Sequence, residues 1–277
     1  MLFKKTQNLK LPSLPNAVRE CMAQLYNSAV DILKLSTIVQ KDTGLTSSLL
    51  KLANSTFYST GKPTSDLNTG ITRIGLTFFM QILVSHSLES IFNFDPIHFF
   101  SIKSFTKHAS WASQIAFEIG KLTKSTNLSD LLVAGLFHDV GLLVRVIFDY
   151  QLQKKIIEKL LEDKSDFYSA EKMLGLESHS SLGCELLKLW LFPEEVIEIV
   201  RYHHTEEVLL PKNLSQTLNQ NIQILKLSDL LAHRFGNAFS NYPKDVRVNQ
   251  IDLDKLGLTN QDISKVIQSA TMQLQYF

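Results

Sequence analysis

The sequence predicts an all-α protein. Glycine and proline are scarce, 11 and 7 in 277 residues, and the apolar–polar alternation of β-strands is nearly absent. In its place, apolar residues recur at the 3.6-residue period of a helix along most of the chain. At 31.4 kDa the chain suits one large or two small domains, and it can bury a core without disulfide staples. Its 44% hydrophobic and 20% charged residues exclude a disordered chain.

Helices are expected in order. Over 15–27, Pro15 suits a first turn, and Val18, Met22 and Leu25 share a face. Over 31–41, Asp31 serves as N-cap with Leu35, Ile38 and Val39 inward. The pattern continues over 43–54 through Leu45, Leu49, Leu50 and Leu52. Residues 59–65, rich in turn formers, form a loop. Helices follow over 66–75 and 76–92 with a break at Gly75, and Asp95-Pro96 marks a joint around 93–103. Further helices are expected near 104–124, 129–147, 151–163, 166–174, 179–191, 194–204, 217–236 and 261–274. Residues 237–249 read as a polar loop, and Thr259 caps the last helix. The expected organisation is a helical bundle to about residue 100, a second packed bundle over 101–236, and a short C-terminal extension over 237–277.

Lys+Arg 28 against Asp+Glu 27 leaves a net charge of +1, so no global field draws in nucleic acid or an anionic membrane. Cys21 and Cys184 lie on apolar stripes and read as core residues. No signal-peptide core opens the chain and no run approaches about 18 consecutive apolar residues, so a cytoplasmic protein without membrane insertion is expected. Phe92, Phe94, Phe99, Phe100 and Phe105 form either a core or a docking surface. Glycine-rich phosphate loops and nucleophile elbows are missing.

The chemistry sits in histidines that fall on buried stripes. His108 runs with Trp111, Ala112, Ile115 and Ile119; His179 with Leu182, Gly183, Leu186 and Trp190; His203 with Val196, Ile199 and Val200. His138 and Asp139 follow Leu131, Leu132, Ala134 and Gly135, and Asp229 follows Ile222 and Leu225. Any one buried histidine is usually a hydrogen-bonded core residue. An inward carboxylate, however, is costly unless paired or bound to a cation. As a set these residues supply the imidazole and carboxylate ligands of divalent metals, and one carboxylate could bridge two ions.

The order His108, His138-Asp139, His179, His203-His204, Asp229 resembles the ligand series of the HD superfamily of metal-dependent phosphohydrolases. Three N-terminal segments add to this: Leu11 to Pro15, Leu45 to Ser55, and Ile71 to Leu76. With Ala134 to Gly141 and Arg201 to His204 they resemble the HDOD domain, a bacterial signalling relative of those hydrolases. The resemblance spans residues 10–205. It implies two helical bundles, the second HD-like, and a usually non-enzymatic role in signalling through other proteins. It also implies one or two ions (iron, manganese, zinc or magnesium) on His108, His138, Asp139, His179, His203 and Asp229, with His204 as a substitute or supporting ligand.

Departures from the hydrolase pattern bear on activity. Leu142 stands where catalytic HD enzymes commonly have a phosphate-binding lysine. Arg145 could replace it, or could sit at the surface or in a salt bridge. The sequence after His203-His204 runs Thr-Glu-Glu-Val-Leu-Leu-Pro and lacks the Asp-Gly-x-Gly-Tyr-Pro of the cyclic-dinucleotide phosphodiesterase branch. Two readings remain: a signalling module with a structural or sensory metal site, and a metal-dependent phosphohydrolase of a nucleotide or other phosphoester. Leu142, and an N-terminal module that catalysis does not need, favour the first.

Overall fold

The computed structural model describes residues 11–27, 29–236, 239 and 250–275. Among these it is helical, with one isolated bridge between Ile97 and Phe100 and no strand. The chain divides into two compact units, Ser13–Ile91 and Phe92–Leu274, and Pro12 groups with the second.

The first unit holds α1 (Asn16–Leu25), α2 (Ile32–Val39), α3 (Thr43–Ala53), α4 (Leu67–Ile74) and α5 (Leu76–Ile91). Aspartates start three of these helices. Asp31 Oδ1 accepts from Lys34 N at 3.1 Å, Asp42 Oδ1 from Leu45 N at 2.9 Å and Asp66 Oδ2 from Thr69 N at 2.9 Å, satisfying amides that the first turn leaves without partners. Gly75, at φ +79°, takes the left-handed backbone that lets α4 and α5 meet at 108°. Val18, Cys21, Leu35, Leu49, Ala53, Phe79 and Leu83 are fully buried in this unit.

The second unit holds α6 (Ile102–Leu122), α7 (Leu128–Phe137), α8 (Val140–Phe148), α9 (Tyr150–Asp163), α10 (Phe167–Met173), α11 (His179–Leu189), α12 (Glu194–Tyr202), α13 (Gln216–Phe235), α14 (Gln250–Lys255) and α15 (Asn260–Leu274). A 3₁₀ turn, Glu207–Leu209, follows α12. The long helix α6 packs on α7, α13 and α15, while α8 lies along α11. Trp190 Nε1 donates to Pro12 O at 2.9 Å. Phe99 and Phe100 pack against Phe167 and Phe239 within this unit; Phe92, Phe100 and Phe105 are core, while Phe94 and Phe99 are half-buried. Both cysteines are free and buried.

The helix expected over 129–147 is broken. It stops at Phe137 and restarts at Val140, with His138 and Asp139 in the turn between. A close approach fixes that turn: a Cβ on Gly141 would lie 1.9 Å from His179 O, so only glycine lets α8 touch the start of α11. Within Leu128–Phe148, 18 residues have a mean hydropathy of 2.0, apolar and long enough to cross a membrane, yet 89% of them are buried inside the protein. It is the core of the second unit.

The polar loop expected over 237–249 lies outside the described residues except for Phe239, which is buried. The short helix α14 was not legible in the sequence. Thr259 caps α15 as expected, exchanging hydrogen bonds with Asp262. Ile263, Val266, Ala270 and Leu274 are buried, and α15 packs on α6.

Candidate metal centre

The two longest helices supply one side of the centre. His108 projects from the interior of α6 and Asp229 from the interior of α13, each more than one turn from the helix end. His138 and Asp139 come from the α7–α8 turn, His179 is the first residue of α11, and His203 and His204 follow the end of α12. His108, His138, Asp139, His179, His203 and Asp229 expose between 0% and 4% of their surface, and His204 is half-buried.

Ligand atoms gather in two groups, each with all members within 4.8 Å of one another: His108, His138, Asp139 and Asp229 in one; Asp139, His179, His203 and His204 in the other. Asp139 belongs to both. Its Oδ2 lies 3.2 Å from His138 Nε2 and 3.6 Å from His108 Nε2. Its Oδ1 lies 3.2 Å from His179 Nε2 and 3.7 Å from His203 Nε2. Every sequence-predicted ligand is therefore brought together, and His204 enters as a full member of the second group.

Hydrogen bonds on the far nitrogens fix which ring atom faces inward. His138 Nδ1 donates to Gly135 O at 2.9 Å and His203 Nδ1 to Val200 O at 2.6 Å. His179 Nδ1 donates to Glu171 Oε2 at 2.9 Å. Carbonyls and carboxylates only accept, so each Nδ1 carries a proton and each ring turns its Nε2 to the centre, where it can hold either a proton or a metal. His179 and His204 Nε2 are 3.0 Å apart, and His108 and His138 Nε2 are 3.2 Å apart. His203 Nε2 is buried without a hydrogen-bond partner. Lone pairs this close repel unless a proton or a cation lies between them, so the donor set fits a divalent metal on each side of Asp139.

The electrostatics agree. Burial works against charge on His138 and His179, but the adjacent carboxylates overcome it: Asp139 raises His138 well above its ordinary value, and Glu171 with Asp139 lifts His179 to about 10. Burial would likewise raise Asp139 and Asp229. The surrounding imidazoles outweigh it and hold both carboxyls well below their usual range. Burial first, and then neighbouring imidazoles, push His203 below its ordinary value and His204 well below it. The carboxylates thus favour positive charge at the centre, whether protons or metal.

Three supporting residues escaped sequence reasoning. Glu171 binds His179 through both its ring and its backbone N–H, and also pairs with Arg145 Nη2 at 2.9 Å. Arg145 is thus not at the surface; it is fully buried in a salt bridge. His233 stacks on His108 with centroids 4.1 Å apart, and its Nε2 lies 3.3 Å from Asp229 Oδ1. Its spacing of four from Asp229 was the available signal. Phe239 lies 5.2 Å from His108, ring to ring.

A sequence profile of the HDOD domain matches residues 11–206. The chain belongs to the HDOD domain family. An uncharacterized protein of Treponema pallidum (strain Nichols) is 24% identical over 195 residues, 70% of this HDOD chain but only 37% of that protein. Among solved structures, a candidate signal-transduction protein of Marinobacter aquaeolei VT8 superposes with a TM-score of 0.72 at 18% identity. That match takes in 99% of this chain and 62% of the other. A candidate phosphohydrolase of Shewanella amazonensis SB2B gives 0.69 at 18% identity, over 99% and 96% of the two chains. These likenesses establish the helical HDOD fold; at such identities they carry no activity across.

Proposed function

We propose that this HDOD protein is a regulatory module in a bacterial signalling network that acts through contacts with other proteins, with a His/Asp centre that holds divalent metal in a structural or sensory role. The observation that carries this reading is that, among the described residues, α8 offers the centre no free cation where catalytic HD enzymes commonly carry a lysine. Leu142, just past the His138-Asp139 turn, is fully buried and cannot balance phosphate charge. Arg145, the one cation of α8, is committed to Glu171 and the Glu177 carbonyl. The near-neutral charge of the chain supports protein partners over nucleic acid or membrane, and a cytoplasmic setting is part of the same reading.

The residues that would hold metal are His108, His138, Asp139 and Asp229 on one side, and Asp139, His179, His203 and His204 on the other. Five imidazoles suit iron, manganese or zinc better than magnesium, which prefers oxygen ligands. A bound ion would supply Lewis acidity and lower the pKa of a bound water.

One observation favours phosphohydrolysis of a nucleotide or other phosphoester as a second reading. Asp139 turns one oxygen to each ligand group, the arrangement that sets two cations side by side. Elemental analysis of protein purified without chelator, followed by phosphate-release assays on the metal-loaded chain, separates the two. Bound metal without turnover is expected. Turnover that disappears in Asp139→Ala while the fold persists would replace the signalling reading with the hydrolase.

A further inference from the structure

The two ligand groups differ in how they are enclosed and in what carries them. In the inner group, His108 and Asp229 sit in the interior of α6 and α13, helices of 21 and 20 residues. The buried rings of His233 and Phe239 cover His108. In the outer group no ligand lies inside a helix: Asp139 sits in the α7–α8 turn, His179 opens α11, and His203 and His204 trail α12. What covers this side is half-exposed: the Tyr168 ring stacks on His204 at 5.0 Å and meets His179 edge-on at 6.5 Å. Helix ends open locally at little cost, whereas the middle of a long packed helix opens only when the domain unfolds.

We propose that the two positions exchange metal at very different rates. The inner ion stays with the fold, while the outer ion, held by Asp139, His179, His203 and His204, exchanges with solvent past the edge formed by His204 and Tyr168. Occupancy of the outer position then follows the free concentration of divalent transition metal, which makes it the sensory half of the centre. The short helix α10 gives that occupancy a route outward. It carries both Tyr168, on His204, and Glu171, on His179, and it ends in the exposed side chains of Met173 and Leu174. This inference rests on the reading of the centre as a metal site.

The test uses the full chain loaded with zinc and gel-filtered. Excess chelator is then added, release is followed with a chromophoric zinc indicator, and circular dichroism monitors the fold. Two release phases are expected, of one ion each, separated by at least about ten-fold in rate, the order by which supporting contacts change metal binding. His204→Ala removes the fast phase and leaves one slowly released ion, His204→Gln weakens the fast position without touching the slow one, and Tyr168→Ala accelerates the fast phase alone. Release of both ions in a single phase, or loss of the slow ion in His204→Ala, overturns the inference while leaving the metal site standing. A well-folded wild-type chain that retains no zinc at all defeats the metal-site reading itself.

Discussion

Glu171 accepts two hydrogen bonds from His179, one from the backbone N–H and one from Nδ1, each at 2.9 Å. A single buried carboxylate thereby caps the start of α11 and sets the tautomer of a candidate ligand. Its other oxygen neutralises Arg145, whose side chain is fully buried. Stability and metal affinity are coupled through one residue, and the two effects should separate by substitution. Glu171→Ala leaves Arg145 buried without its counter-charge and should cost about 3–5 kcal/mol. Glu171→Gln keeps an acceptor for His179 and should cost less stability, yet lower affinity at the outer position roughly ten-fold. Thermal unfolding and equilibrium dialysis with zinc measure the two. Equal affinity in wild type and Glu171→Gln would show that the carboxylate charge does not reach the ligand.

Asp139 and Asp229 should differ in stoichiometry. Asp139 belongs to both ligand groups and Asp229 to one. Asp139→Ala should therefore lower retained metal at both positions, and Asp229→Ala at the inner position only, as read by elemental mass spectrometry on folded protein. Identical losses in the two variants would rule out the bridging role.

Gly141→Ala should be severely destabilising although it adds one methyl group. The new Cβ would fall 1.9 Å from the backbone oxygen of His179, which cannot rotate away. Separating α8 from α11 should cost at least about 1–3 kcal/mol and displace His179 from Asp139. A denaturation midpoint within error of wild type would show that the helices part more easily than their contact implies.

In the first unit, the α3 cap should titrate. The Leu45 amide above all, and His86 beside it, hold the Asp42 carboxyl below its ordinary range despite some desolvation. A carboxyl depressed in the folded state stabilises above its unfolded pKa, about 4, and loses that contribution as the pH falls through the folded value. Asp42→Ala should cost about 1 kcal/mol at neutral pH, with the gap to wild type narrowing as the pH falls below about 4. Urea midpoints across that range test it, and a gap that widens on acidification contradicts the sign.

The cysteines should be inert. Burial pushes Cys21 up to about 12, with Glu20 adding to it, and burial likewise pushes Cys184 up to about 12. Native protein should not react with a thiol reagent at neutral pH, and both thiols should appear in urea. Rapid labelling of either one in the folded chain would place it outside the core.

Much of the fold is local in origin and so was legible. The helix period, Asp31 and Thr259 as caps, and the Gly75 break are decided within a few residues of themselves. The ligand series was legible because each inward histidine or aspartate interrupts an apolar stripe, and the order of those interruptions is a family pattern. The break at His138-Asp139 was not, because the apolar period runs straight through it. The turn is imposed from outside, by contact between α8 and α11 at Gly141.

Periodicity and residue type are properties of each segment alone, so the helices and the inward His and Asp residues are legible without a structure, and their order is what resembles the HDOD family. Packing between segments is what turns Asp139 to two ligand groups, brings His204 into one of them, stacks His233 on His108 and pairs Arg145 with Glu171. Those outcomes depend on which helix ends meet in space. The burial that brings them together also selects which nitrogen of each ring faces the centre, because a buried N–H must find an acceptor and the nearest one lies on the far side of the ring.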